Sequence, residues 1–465
     1  MTVARTIDLP ASGVWLNAAP SSLQAHAGCP VVLAFVNAAS VWCMQRLAEV
    51  AQWQARNPGR LQLLVVQVPR FDFEREPEAA LKLVRRHGIA APVLLDAQWD
   101  AWRRFQVTAW PTLLLIDAEG GERERLVGGA GNLEASLAAL CEGAGPRAAQ
   151  EIHPEPRSPL RFPAGLVANA ERLYVADTGH HRILECSHDG RVLRQFGIGS
   201  ADLANGTASD AAFNRPHGLA LEREALYVAD TGNHAVRRIH LPSGQVDTLC
   251  GTGRAGTPSA GVLANPWDSA LDHPLDVAVA DNQLHIAMGG DNHVWSYDLG
   301  IRSLRWRAGA GPVEVRDGGG HLAAFAQPCG VVAVQQVLYV CDALGSAVRS
   351  LQLRGDVVQT LVGQGPWVFG NTDGPRAQAL LQYPQAIAMG GQSPLLWIAD
   401  TGNGCLRTLR LGGGDLSTVD LPRRLQGPAA LALAADAVWI AETDAHAVLR
   451  FDPASGALDR VPIEE

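Results

Sequence analysis

The sequence lacks three features that would narrow its function at once. Its eight cysteines include no Cys-x-x-Cys pair. No apolar run approaches the roughly 18–20 residues that a membrane-spanning helix requires, and residues 1–20 lack the basic-then-apolar pattern of a secretory leader. We therefore expect a cytoplasmic protein with reduced thiols and no membrane association.

Positive charge is also scarce. The formal net charge is −9, and Lys82 is the single lysine. Residues 1–150 are neutral, so the whole acidic excess lies in the remainder of the chain. Nucleic-acid binding needs a basic surface that neutralises phosphates. The composition therefore argues against nucleic acid as a partner.

From residue 159 onward one sequence pattern occurs six times: a proline, a short apolar run, and a turn that carries an acid. The clearest turns are Asp-Thr-Gly at 177–179, 230–232 and 400–402. The repeats begin at Pro163, Pro216, Pro274, Pro328, Pro384 and Pro428. This spacing is typical of four-stranded propeller blades with variable loops. Six units predict a closed six-bladed ring, because a single blade cannot bury both of its faces.

Two catalytic interpretations of this repeat are unfavourable. In aspartic proteases two copies of Asp-Thr-Gly supply a facing pair of carboxylates. Here the triplet recurs at the same position of each repeat, where an Asp and a Gly are the residues expected in a hairpin turn. The histidines of this region, such as His217 and His273, form no consistent ring of ligands around a channel. We therefore expect no metal and no other cofactor.

The repeats resemble NHL repeats. Residues 216–234 match almost the full signature, in which a Pro-x-Gly phrase leads to an apolar strand and an Asp-x-Gly-Asn-His turn. The third repeat departs most, with Asp276 in place of glycine and Met288 in place of the turn acid. The resemblance covers about 300 residues and implies an all-β six-bladed NHL propeller over 159–465.

Before the propeller, apolar runs alternate with helical segments, which predicts an α/β sandwich. The pattern resembles the thioredoxin fold. In that family a Cys-x-x-Cys pair follows the first central strand, and these two positions fall here on Ser40 and Cys43. The family's cis-proline corresponds to Pro111. The resemblance implies a thioredoxin-like domain over 1–146, joined by a linker over 147–158.

Ser40 is the important departure, because a serine hydroxyl cannot form a mixed disulfide. We expect a binding or scaffold protein whose thioredoxin-like domain has lost dithiol chemistry. Its protein partners would dock on a propeller face or in a groove between domains, and the candidate binding residues are Trp42, Trp110, Trp367 and Phe369. The alternative is a single-cysteine redox protein or peroxidase that acts through Cys43, with Ser40 and Pro111 shaping its site. Under the first interpretation Cys43 is a small buried core residue.

Overall fold

The protein is described by a computed structural model, which covers residues 7–146, 148, 150–390 and 394–463. The chain divides into two compact units between Pro156 and Arg157. The candidate residues of the thioredoxin-like site lie in the first unit, and all six repeats lie in the second.

The first unit is a mixed sheet with helices on both faces. Its elements are β1 (Val14–Trp15), β2 (Val31–Val36), α1 (Val41–Arg56), β3 (Gln62–Gln67), α2 (Pro77–Arg86), β4 (Val93–Leu95), α3 (Asp100–Arg104), β5 (Thr112–Ile116), β6 (Glu122–Val127) and α4 (Leu133–Leu140). The strand order is β1-β4-β3-β2-β5-β6. Strand β2 pairs in parallel with β3 and antiparallel with β5, and all its residues are buried.

Two apolar clusters hold this sheet. One packs α1, α2 and α4 on one face, and the other packs α3 on the opposite face. The unbroken apolar strand β2 is buried on both faces, as is usual for a central parallel strand. Strand β4 is not the edge of the sheet, because the two-residue β1 pairs with it on its outer side.

The segment expected to be a linker is hydrogen-bonded to the first unit. The His153 N–H donates to the Asn17 carbonyl at 2.7 Å. The Gln150 side chain donates to the Ala19 carbonyl at 2.9 Å, and Lys82 forms an ion pair with Glu155 at 2.7 Å. The described residues between 150 and 155 are therefore anchored to the α/β sandwich.

The second unit is a six-bladed propeller, and each blade is one continuous chain segment. The four strands of each blade, from the innermost outward, are listed here in order. Blades 1 and 2 comprise β7 (Gly165–Ala168), β8 (Leu173–Asp177), β9 (Arg182–Cys186), β10 (Val192–Phe196), β11 (Pro216–Glu222), β12 (Ala225–Asp230), β13 (Ala235–His240) and β14 (Gln245–Cys250).

The remaining blades follow the same plan, and blades 3 and 4 gain a fifth, two-residue outer strand. Blade 3 comprises β15 (Val262–Leu263, the fifth strand), β16 (Pro274–Ala280), β17 (Gln283–Met288), β18 (His293–Asp298) and β19 (Leu304–Ala308). Blade 4 comprises β20 (Gly318–Gly319, the fifth strand), β21 (Pro328–Val334), β22 (Val337–Asp342), β23 (Ala347–Gln352) and β24 (Val357–Val362). Blades 5 and 6 comprise β25 (Ala386–Gly390), β26 (Leu395–Asp400), β27 (Cys405–Arg410), β28 (Leu416–Thr418), β29 (Pro428–Ala434), β30 (Ala437–Glu442), β31 (Ala447–Phe451) and β32 (Leu458–Val461).

The ring is closed. Neighbouring innermost strands contact one another all the way round, including β29 of the last blade against β7 of the first. Apolar side chains of blades 1 and 6 form one cluster that contains both Leu160 and Ile463. Stacking of blades therefore buries the faces that a single blade would leave exposed.

The Asp-Thr-Gly turn joins neighbouring blades. The Thr178 hydroxyl donates to the carbonyl of Pro216, which opens the next blade, at 2.7 Å. The same bond recurs from Thr231 to Pro274, from Thr401 to Pro428 and from Thr443 to Pro163, at 2.6 Å in each case. The glycine is needed because a Cβ at Gly232 would lie 2.7 Å from the Asn214 carbonyl oxygen. The triplet is thus a structural turn.

A second kind of bond joins neighbouring blades at five junctions of the described ring, and three of these also have the threonine bond. The residue after the turn has a positive φ, and its side chain accepts the backbone N–H that precedes the next repeat's proline. The pairs are His181 with Arg215 (3.1 Å), His234 with His273 (3.3 Å), Asn292 with Gln327 (2.8 Å), Ser346 with Tyr383 (3.3 Å) and His446 with Phe162 (3.0 Å). These histidines therefore have a structural role in joining blades.

Acid should weaken the two junctions that use His181 and His234. Burial lowers the pKa of His181 to about 4 and that of His234 to about 3. The unfolded chain binds these protons near pH 6.5, whereas the folded chain does not, so stability falls as the pH falls from about 6.5 towards 4. Replacing both histidines with asparagine, which serves the same role at residue 292, should reduce this loss.

The measurement is the thermal midpoint of wild type and of the double variant His181→Asn/His234→Asn between about pH 7 and about pH 4.5. Exposed His240 supplies the control substitution to asparagine. An equal acid-induced decrease in the double variant and in wild type would contradict the assignment.

Buried ion pairs reinforce three of the turns. An arginine seven residues after the turn aspartate pairs with it, as in Asp230–Arg237 (2.8 Å), Asp342–Arg349 (3.2 Å) and Asp400–Arg407 (2.9 Å), and all six side chains are fully buried. Blade 3 has Met288 and Trp295 at the two equivalent positions, both buried. This blade therefore replaces both charged partners together with apolar ones, which avoids an unpaired buried charge.

Candidate functional site

Ser40 and Cys43 lie at the start of α1, directly after the central strand β2. Ser40 is the N-cap residue of the helix, with extended backbone angles, and its carbonyl accepts the N–H of Met44 at 3.1 Å. Its hydroxyl makes no capping bond to the helix and instead hydrogen-bonds the Cys43 thiol. The predicted spacing therefore brings these two side chains together.

Cys43 is a core residue. Its side chain is 1% exposed and belongs to the apolar cluster beneath α1. Burial raises the pKa of the thiol to about 12, and the negative charge of Glu74 adds to this. The Asn37 N–H, 3.5 Å from Sγ, and the Ser40 hydroxyl oppose the shift without cancelling it. At neutral pH the group is therefore a thiol and not a nucleophilic thiolate.

Glu74 lies behind this site and is fully buried. Its carboxylate accepts the Asn37 side-chain amide, 2.7 Å from each oxygen, and the backbone N–H groups of Arg70 (2.8 Å) and Phe71 (2.9 Å). Gln67 also donates to it, at 3.2 Å, and accepts the N–H of Ala38. Burial raises the pKa of Glu74. The network fixes the loop between β2 and α1, and no sequence motif indicated it.

Pro111 and the neighbouring tryptophans form the other side of the candidate site. The Trp110–Pro111 peptide bond is cis, and Pro111 is buried. Trp110 contacts Trp99 and Trp102, with ring centroids 5.2 and 4.8 Å apart. Trp42 is 46% exposed and lies over Gly129, where an added Cβ would be 3.5 Å from its ring.

Trp367 and Phe369 lie in the loop between blades 4 and 5. Trp367 is 65% exposed, whereas Phe369 is partly buried. The loops that join one blade to the next start and end on the face of the ring that carries the Asp-Thr-Gly turns. In each blade the innermost strand begins opposite the end of the second strand, as Pro216 lies opposite Asp230. We call this face of the ring the turn face. The two propeller residues belong to a different unit from Ser40 and Cys43.

One group of possible metal ligands occurs among the described residues. Donor atoms of His234, Asp272 and His273 lie within 4.8 Å of one another. Each already has a partner in the protein, because His234 accepts the His273 N–H and the His273 ring contacts Asp272 at 2.6 Å. These bonds join blades 2 and 3 and give the cluster a structural explanation.

Across residues 7–146, 148, 150–390 and 394–463, no helix is long and apolar enough to cross a membrane. The first unit has the central strand, the helix that starts at the candidate cysteine position and the cis-proline expected of a thioredoxin-like domain. The second is a six-bladed propeller. Together they define a class of protein in which a thioredoxin-like domain precedes an NHL β-propeller.

Comparison with known proteins supports the same two-part organisation. The NHL repeat model matches residues 160–186 and 213–239. The chain resembles NHL repeat-containing protein 2 of chicken (Gallus gallus), with 29% identity over 97% of this chain and 70% of that protein. It is 28% identical to the Arabidopsis thaliana protein named SUPPRESSOR OF QUENCHING 1, chloroplastic, over 83% of this chain and 40% of the relative.

A shorter relative matches the thioredoxin-like part. The thiol-disulfide oxidoreductase YkuV of Bacillus subtilis is 21% identical over 124 residues, which are 27% of this chain and 84% of that protein. The predicted fold class, an α/β thioredoxin-like sandwich followed by an all-β six-bladed NHL propeller, is thus confirmed.

Proposed function

We propose that this chain is a protein-binding or scaffold protein whose thioredoxin-like domain does not exchange thiols. The observation that carries the proposal is the environment of Cys43, a buried thiol with a pKa of about 12. Dithiol exchange begins with an exposed thiolate at the start of the helix. That position is Ser40 here, which cannot form the mixed disulfide.

The single-cysteine alternative has less support. A peroxidase or redox cysteine must present its thiolate to a substrate, and a low thiol pKa at an accessible site is the usual means. Both conditions are unfavourable at Cys43, because burial and the Glu74 charge stabilise the protonated form. The Ser40 hydroxyl and cis-Pro111 then act as parts of the scaffold around a core residue.

The turn face of the propeller is the better candidate for binding. Large apolar side chains are exposed near the turn-face ends of four successive inter-blade loops, and they are Ile198, Trp267, Val313, Trp367 and Val368. Exposed apolar groups gathered on one surface are typical of protein interaction sites. With Trp42 and Trp110 as further candidates on the first unit, we propose protein partners and not nucleic acid, given the net charge of −9.

We retain the cytoplasm as the proposed compartment. All eight cysteines are free, and seven of them are buried. Reduced thiols of this kind are typical of proteins from reducing compartments. One relative carries "chloroplastic" in its name, so a reducing compartment of an organelle is the second candidate.

A variant comparison separates binding from thiol chemistry. Tagged full-length protein would be used to capture proteins from an extract of its source cells, with wild type compared with Cys43→Ala and with Trp267→Ser/Trp367→Ser. We expect Cys43→Ala to retain the captured set and the double variant to lose it, because the double variant removes apolar contact area from the turn face. The matched control is Ile301→Ser, since Ile301 is 76% exposed in the hairpin between β18 and β19 at the opposite face.

Two outcomes would contradict the proposal. Loss of the captured proteins in Cys43→Ala, especially if they are released from wild type by a reducing agent, would indicate mixed disulfides and favour the redox alternative. Retention of every partner by the turn-face variant would show that binding lies elsewhere.

A further inference from the structure

The six innermost strands line a central channel with a cavity of about 260 Å³. Most of its lining is small and aliphatic, supplied by alanine, valine and leucine side chains of β7, β11, β16, β21, β25 and β29. Pockets for drug-sized ligands are about 300–1,000 Å³. The channel therefore suits a small molecule or one inserted side chain.

One carboxylate interrupts this lining. The residue two positions after each repeat's proline faces the same layer of the channel, and the six are Gly165, Gly218, Asp276, Gly330, Ala386 and Ala430. Asp276 occupies space that the neighbouring blade leaves free, because a Cβ at Gly218 would lie 2.0 Å from Asp276 Oδ1. The arrangement of blades 2 and 3 thus accommodates this carboxylate specifically.

Asp276 has hydrogen-bond donors but no cationic partner among the described side chains. Oδ1 accepts the N–H of Val277, and Oδ2 accepts that of Val331 in blade 4, each at 2.9 Å. Burial raises its pKa to about 7, and no positive side chain counteracts this. By contrast, the turn acids Asp230, Asp342 and Asp400 each pair with an arginine. A desolvated carboxylate without a counter-charge is costly.

We propose that the central channel binds a primary ammonium group, with Asp276 as its counter-charge. The lining contains one carboxylate and no lysine or arginine, and its histidine, His217, is hydrogen-bonded to the Leu275 carbonyl at 3.0 Å. The single carboxylate therefore matches one positive charge. Divalent Ca²⁺ would need six to eight oxygen ligands and usually several carboxylates, which this layer does not provide. An ammonium group offers three N–H donors on a compact head, so it fits both the remaining lone pairs of Asp276 and the small volume.

The ammonium group can belong to a free small amine or to a lysine of a partner protein. Titration calorimetry of the full chain with methylammonium chloride tests the first source. A blocked Gly-Lys-Gly peptide tests the second, with the Nε-acetyl-lysine peptide as its uncharged control. The source is assigned by whichever of the two probes binds more tightly.

Asp276→Asn should weaken binding of that probe by about tenfold or more, since a hydrogen bond to a charged group contributes about 1.5–3 kcal/mol. Asp276→Gly, which copies blades 1, 2 and 4, should do the same. The control is Asp281→Asn, an exposed acid that follows the same strand. Tetramethylammonium, which has the charge but no N–H donor, should bind wild type more weakly than methylammonium and needs no variant.

Absence of binding by wild type to both probes would overturn the proposal. Binding that is equal in wild type and in the two Asp276 variants, or equal for methylammonium and tetramethylammonium, would also overturn it.

Discussion

Replacing Arg237 with methionine should lower the free energy of unfolding of the propeller by about 3–5 kcal/mol, because it leaves the buried carboxylate of Asp230 without its partner. Both side chains are fully buried and 2.8 Å apart. Arg237 also donates to the carbonyls of Ala212 (2.9 Å) and Ala204 (2.6 Å). The variant therefore loses several bonds that no water can replace in a closed interface.

Blade 3 indicates how this loss can be compensated. It carries Met288 and Trp295 at the positions of Asp230 and Arg237. The double variant Asp230→Met/Arg237→Trp should therefore be more stable than Arg237→Trp alone, since no buried charge remains unpaired. Urea unfolding of wild type, Asp230→Met, Arg237→Trp and the double variant, followed by calorimetry to separate the two units, measures the coupling. A double variant no more stable than the single one would contradict this.

Glu74→Ala should destabilise the first unit by about 3 kcal/mol, because four donor groups in a largely buried network lose this acceptor and each unsatisfied buried group costs about 1–3 kcal/mol. The donors are the side chains of Asn37 and Gln67 and the N–H groups of Arg70 and Phe71. Glu76→Ala is the matched control, since Glu76 is exposed and makes no capping bond.

The rate of Cys43 alkylation reports on the same change. In native wild type the thiol is 1% exposed and should remain unmodified until the unit unfolds. In Glu74→Ala the loop that contains Asn37 loses its anchor, so Cys43 should react through local opening. Each protein is compared with its own Cys43→Ala derivative to isolate this site. Rapid alkylation of native wild type, or equal rates in wild type and Glu74→Ala, would contradict the assignment.

The sequence predicted those features that depend on local spacing. Six prolines at a steady period indicated the blades, and the distance from β2 placed Ser40 and Cys43 at the helix start. The paired arginines were missed, although their signal was present, because Arg237, Arg349 and Arg407 each follow the turn acid by seven residues. The two-residue β1 and five-residue α3 were also missed, since elements so short carry no periodicity.

Other features could not be derived from local patterns. Glu74 acts on Cys43 only because the fold brings the β3–α2 connection against the β2–α1 loop. Asp276 was recognised as a departure from the repeat, but its lack of a cationic partner depends on the side chains of neighbouring blades. Long-range packing decides both cases, and one sequence does not reveal it.

The bond between Thr443 and Pro163 also has a consequence for synthesis on the ribosome. Its two residues are 280 positions apart, and elongation at about 5–20 residues per second separates their appearance by roughly 15–55 s. During that interval the apolar face of blade 1 that packs against blade 6 is uncovered, because blade 6 has not yet been synthesised. Transiently exposed apolar surface is prone to aggregation, so we expect the nascent chain to be most vulnerable until its last blade emerges.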